Sequence, residues 1–228
     1  MRVLSARRRN DIGVIGTGRA AAVVASAGAL VNTLFQASAR VQQIFERHDW
    51  KFCFIGGVAN FRWGTPRLTN DLYLTLLTGF GGEAAYTAAL LAEFESRIQG
   101  ATEFALQIRV LLLRTPDGFG IDVALGAMPF EASAIERSSN VELVRGATLR
   151  TCSAEDLIVH KAFAARPQDW VDIEGVILKQ RGQLQWAQIW SDLSVLAELK
   201  EAPELLTALE GITTRAESVI GPFPHARS

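Results

Sequence analysis

The stretch Trp50-Lys-Phe-Cys-Phe-Ile55-Gly56-Gly57, taken with Asp71-Leu72-Tyr73 and Gly120-Ile121-Asp122-Val123, decides how this chain is read. Trp50–Ile55 is a short apolar run that stops at two glycines, the pattern of a buried strand entering a tight turn. Leu72–Leu77 reads as the next strand, and residues two apart on a strand share a face. Asp71 and Tyr73 therefore project together. Asp122 points away from Ile121 and Val123, and if its strand neighbours the first, all three side chains line one patch. Carboxylates so placed repel one another unless a cation compensates them, and a hard oxygen-binding ion such as Mg2+ suits them. Gly56 and Gly57 lack β-carbons, so their amides can approach phosphate oxygens, and a helix after them adds its N-terminal partial charge.

Working outward, Phe35–Arg47 has helical apolar spacing and Val58–Trp63 begins a short helix. Glu83–Ile98 is alanine-rich and reads as a helix. Phe104–Arg114 reads as a strand, turned by Thr115-Pro116-Asp117-Gly118 into an antiparallel partner, Phe119–Leu125. Glu142–Leu149 adds an edge strand. Ser153 followed by Asp156 is a helix start, and Pro167 suits the first turn of another helix running to Gln180. Trp186–Leu199 and Ala202–Val219 complete a helical C-terminal third, with a fraying tail from Gly221. The expected class is α+β: a mixed β-sheet flanked by helices, with a helical C-terminal region. The expected division is an extension over 1–33, a core over 34–150, a helical subdomain over 151–220 and a tail over 221–228.

Composition bounds the reading. The chain has 228 residues, 49% hydrophobic and 21% charged, with a formal net charge of −1. That is ordinary for a soluble protein and supplies no global basic field for nucleic acid. Cys53 and Cys152 have neither metal-pair nor disulfide spacing, which makes a cytoplasmic location the default. His48, His160 and His225 likewise lack ligand spacing. Arg7-Arg8-Arg9 before an apolar run outlines a secretory signal, but Arg19 inside that run argues against it and against a membrane span. Asp11-Ile-Gly-Val-Ile-Gly16-Thr-Gly18 imitates a dinucleotide-binding loop, yet a single helix then leads straight to the Gly56-Gly57 strand, leaving no room for the rest of that fold.

Four motifs carry a resemblance: Ile55-Gly-Gly-Val-Ala59; Gly64-Thr-Pro-Arg-Leu-Thr-Asn-Asp-Leu-Tyr-Leu74; Ile121-Asp-Val123; and Glu155–Asp172, which contains Lys161, Arg166, Asp169 and Asp172. Together they resemble the minimal nucleotidyltransferases related to DNA polymerase beta, most closely the AbiEii/AbiGii and MenT-like toxin group. The resemblance implies an NTP substrate (ATP among the candidates), a two-metal Mg2+ site on Asp71 and Asp122, and phosphate contacts from Gly56 and Gly57. It implies that Lys161 neutralises triphosphate charge, with Asp169 and Asp172 orienting the lysine or the acceptor. Arg67 either contacts phosphate or pairs with Asp71. Implied partners are a tRNA or protein acceptor and an antitoxin protein; no membrane is implied. The family's strand motif is Asp-x-Asp, and here the second acid is Tyr73, a phenol that is largely neutral at pH 7 and a poor magnesium ligand. The alternative is therefore a catalytically inactive nucleotide- or partner-binding module that keeps the fold. Trp170 is a candidate for base stacking.

Overall fold

The computed structural model of the chain describes residues 17–225. In order, the elements are α1 (Thr17–Arg47), β1 (Phe52–Ile55), α2 (Gly56–Trp63), β2 (Asp71–Leu77), α3 (Glu83–Glu93), β3 (Glu95–Ser96), α4 (Ala101–Ile108), β4 (Val110–Arg114), β5 (Gly120–Gly126), α5 (Pro129–Glu136), β6 (Ser139–Val144), β7 (Ala147–Thr151), α6 (Ala154–Ala164), α7 (Pro167–Lys179), α8 (Trp186–Leu199) and α9 (Glu204–Ile220). The strands form one sheet in the order β3-β4-β5-β2-β1-β7-β6. The β2–β5 and β1–β7 pairings are parallel and the other four are antiparallel. This is the mixed α+β architecture expected from the sequence, with helices closing the chain.

Strand alternation divides the sheet into two faces with different tasks. Leu72, Leu74 and Leu76 of β2 and Ile121, Val123 and Leu125 of β5 are buried in a core shared with Leu34, Phe35, Val41 and Phe45 of α1. The opposite face carries Asp71, Tyr73 and Asp122. Farther along, Cys53 and Cys152 join that face to a second core built mainly from α6–α9, centred on Leu157, Ile173, Val176, Ile189 and Leu193. Burial of Cys53 pushes its thiol pKa up to about 12, so it packs as an apolar group.

Several elements differ from the sequence expectation. The first helix begins at Thr17, inside the segment read as an extension; the basic run and most of the dinucleotide-like loop lie outside the described residues. The 83–98 helix stops at Glu93, because Phe94 turns extended to bury its ring and the chain continues into β3. The strand read over 104–114 starts only at Val110. Residues 101–108 are helical, with Ala101 and Ala105 buried four apart, and both Gly100 and Arg109 lie in the left-handed region at its ends. An apolar run of that length does not distinguish the two periods. The single edge strand over 142–149 is instead a hairpin, β6–β7, turning at Gly146 (φ +79°). Past Gly221 the chain folds back: the Phe223 ring stacks on Trp186 and the Trp190 indole donates to the His225 carbonyl at 2.7 Å. Among the described residues no helix is long and apolar enough to cross a membrane.

Candidate functional site

A cavity of about 430 Å3 lies between the end of β1, the start of β2 and the α6–α7 junction. Gly56, Gly57, Arg67, Thr69, Asp71, Tyr73, Lys161, Arg166 and Asp169 are among its lining residues. Gly56 adopts φ +56°, and a β-carbon there would meet the Tyr73 side chain at 3.0 Å. A β-carbon on Gly57 would come within 2.8 Å of Thr69. The corner thus favours glycine at its first position and is crowded at its second. Ile55 occupies the N-cap of α2 and contributes no side-chain hydrogen bond, so the first-turn amides have no side-chain partner. An uncapped helix start beside glycine is a suitable place for a phosphate.

Register brings the acids together. In the parallel β2–β5 pair, Tyr73 lies opposite Asp122 and Asp71 opposite Gly120, so all three side chains point to one face. Gly120 leaves room here: a β-carbon there would meet the Asp71 carboxylate and approach the Arg97 guanidinium, and those side chains would have to shift. Arg97 bridges the two acids, through a hydrogen-bonded ion pair with Asp122 and a 3.5 Å contact from Nη1 to Asp71. Burial raises the Asp122 carboxyl above its ordinary pKa; Arg97 opposes that shift and Asp71 reinforces it. Arg97 had no role in the sequence reading, because it fell inside the segment taken as a continuous helix.

Opposite this patch sits a second, buried ionic cluster. The Lys161 ammonium of α6 donates to Asp169 at 3.2 Å and to Asp172 at 2.5 Å, both on α7. Asp172 also accepts two bonds from the Arg67 guanidinium, at 3.0 Å to Nε and 2.9 Å to Nη2, and one from Gln168 at 2.9 Å. Burial works against ionising Asp172, yet the bonds from Arg67 and Lys161 outweigh it and hold its pKa below the usual carboxylate value. Asp169 accepts from Arg166 Nε at 2.7 Å, and the Arg166 guanidinium lies 5.7 Å from the Tyr73 ring centre. The bond to Asp169 leads the causes that raise the Arg166 pKa.

Of the candidate residues, Asp71, Tyr73, Gly56 and Gly57 line one cavity, and Asp122 lies beside Tyr73 on the neighbouring strand. Arg67 is tied to Asp172, not to Asp71, because the 65–70 loop passes under α7. Lys161 reaches the cavity wall but is only 3% exposed and committed to two carboxylates. Asp172 is buried behind it. Trp170 packs against the helical core. The donor set does not fit the expected divalent ion: Tyr73 stands where the second acid would be, the remaining two acids share one guanidinium, and no cluster of three acidic, histidine or cysteine ligands occurs among the described residues.

Among solved structures, the chain is similar to an antigenic nucleotidyltransferase-like protein from Paracoccidioides brasiliensis, with 19% identity over 78% of this chain and 92% of that one and a TM-score of 0.44. It is similar to the antibiotic-resistance factor ANT(2'')-Ia, with 17% identity over 81% and 98% and a TM-score of 0.48. It is also similar to the lincosamide antibiotic adenylyltransferase LnuA, with 12% identity over 62% and 94% and a TM-score of 0.40. No protein-family model matches the sequence, and no curated protein matches it.

Proposed function

We propose that the protein is a nucleotidyltransferase that takes a nucleoside triphosphate into the cavity beside Gly56 and Gly57. The observation that carries this reading is the meeting of Asp71 and Asp122 on adjacent parallel strands next to an uncapped glycine corner. The first-turn amides of α2 and the Arg166 guanidinium supply donors for phosphate oxygens. Lys161 and Arg67, fixed by Asp169 and Asp172, shape the basic wall. In the reaction an acceptor hydroxyl attacks the α-phosphorus, a new P–O bond forms, and the bond to pyrophosphate breaks. Asp122, whose raised pKa makes it a better base than an ordinary aspartate, receives the hydroxyl proton.

The resemblance of the four sequence motifs to AbiEii/AbiGii and MenT-like toxins, departing at Tyr73, supports an RNA end or a protein hydroxyl as acceptor, a toxin role, and a cognate antitoxin as partner. Incubation with α-labelled NTPs, total RNA and cell protein tests transfer, and induced expression tests growth arrest. A labelled acceptor that disappears in Asp122→Asn is the expected result. Calorimetric titration with each NTP tests binding separately.

A second reading has its own observation. Tyr73 beside Asp122, with Arg97 across both acids, favours a module that binds nucleotide and transfers nothing. Saturable NTP binding with no labelled product in any acceptor pool selects it, and absence of both binding and transfer removes both readings.

A further inference from the structure

The position of Arg97 is set by the sheet. In the β3–β4 pair, Glu95 lies opposite Arg114 and Ser96 opposite Leu113. Arg97 continues that register, and its backbone amide donates to the Leu112 carbonyl at 3.0 Å. Leu112 in turn lies opposite Asp122, and Asp122 opposite Tyr73. Arg97, Leu112, Asp122 and Tyr73 thus form one cross-strand row, and side chains in a row share a face. Arg97 and Asp122 are two strand spacings apart, about 10 Å, a gap that a long arginine side chain closes from its own strand.

The surroundings of that side chain point the same way. Its Nε is buried without a hydrogen-bond partner, so its environment does not otherwise reward this position. Its terminal nitrogens meet one oxygen of Asp71 and one of Asp122. Gly120 leaves the space in which Asp71 and Arg97 approach each other. The remaining strand neighbour is Tyr73, which brings a phenol and not a third carboxylate. The local set is two carboxylates with the Arg97 guanidinium between them, and the Arg166 guanidinium stands farther off, 5.7 Å from the Tyr73 ring centre.

We propose that Arg97 is the resident cation of this site, seated between Asp71 and Asp122 in the place of a divalent metal ion. With Tyr73 rather than a third acid beside them, Asp71 and Asp122 bring two carboxylates, and Arg97 brings the positive charge that meets both. Such a site engages a polyphosphate with protein-supplied charge alone. The part of the proposal that concerns the cation is tested without nucleotide, so it stands or fails separately from NTP binding.

The test is a titration with Mn2+, followed by the electron paramagnetic resonance signal of the free ion. It compares the full-length wild type, Tyr73→Asp, Arg97→Gln, and the double variant Tyr73→Asp with Arg97→Gln, each checked for folding by circular dichroism. The proposal expects wild type and Tyr73→Asp to leave Mn2+ free, because the guanidinium still fills the site. The double variant binds one ion at least about tenfold more tightly than Tyr73→Asp, the effect of removing one adjacent positive charge. Tyr73→Asp binding Mn2+ as tightly as the double variant overturns the proposal, and so does a folded double variant that binds none. If the double variant does not fold, the wild type decides, with Asp122→Asn as blank. Mn2+ bound by the wild type and lost in the blank overturns the proposal, and no difference between them supports it.

Discussion

Asp169 with Asp172 and Asp71 with Asp122 are two pairs of carboxylates around one cavity, which Asp169 and Asp71 line, and the two pairs are held in different ways. The α7 pair is almost wholly buried and receives donors from Lys161, Arg67, Arg166 and Gln168. The strand pair is partly open, with Asp71 39% and Asp122 18% exposed, and its one cationic bridge is Arg97. Charges buried with many donors are costly to disturb, because each partner removed leaves another stranded. Partly exposed charges with few donors are cheap to disturb and free to act on a ligand. The first pair therefore ties the α6–α7 helices to the 65–70 loop, and the second is the pair to which the proposed transfer is assigned.

The largest effect expected from this contrast is on stability. Lys161→Met takes one donor from each of two buried carboxylates, which keep Arg67, Gln168 and Arg166, and should cost about 1.5–3 kcal/mol, read as the shift in a urea unfolding curve. A loss below about 1 kcal/mol would show that the buried cluster is not structural. Next comes Asp122→Asn, which should lower any transfer rate by about a hundredfold or more while leaving the unfolding midpoint close to wild type. Ser153→Ala removes the hydroxyl that accepts from the Asp156 amide at the start of α6, the helix bearing Lys161; about 1 kcal/mol of stability should go with it. Arg97→Gln should change stability by less than about 1 kcal/mol, which measured beside Lys161→Met sets the two clusters on one scale.

The subtlest difference is in the sign of the pH response. The folded pKa of Asp172 is lowered, so its contribution is fully present above the unfolded value of about 3.9 and is lost as pH falls through the folded value. The folded pKa of Asp122 is raised, so its ionised form is disfavoured above that value, and wild type gains on Asp122→Asn as pH falls through it. Unfolding of wild type, Asp172→Asn and Asp122→Asn across the acid range should show opposite trends. Matching trends would erase the distinction drawn between the pairs.

Where local chemistry dictates structure, the sequence was legible. The Ile55-Gly56-Gly57 corner, the Ser153 cap, Pro167 at the start of α7 and the Trp186–Leu199 helix all follow from residue types with narrow backbone or capping preferences. Strand alternation put Asp71 and Tyr73 on one face, and Asp122 joined them on the condition that its strand is the neighbour, which the β2–β5 pairing meets. What could not be read was set by tertiary pairing. The extended turn at Phe94 answers to a core position and to the Arg114 strand opposite, neither of which is local. Missing that turn hid Arg97, since a helical residue 97 would have had no row to join. Arg67 was equally illegible as a partner of Asp172, because 105 residues separate them and only the packed α7 brings them together.

The Arg67–Asp172 contact also has a mechanical consequence. It fastens the segment just ahead of Asp71 to the middle of α7, while Lys161 fastens α7 to α6. A force or ligand that tilts this helix pair is therefore transmitted across three side chains to the first residue of the acidic strand. The two walls of the cavity are thus joined by one chain of ion pairs, running from α6 through α7 to the loop ahead of β2.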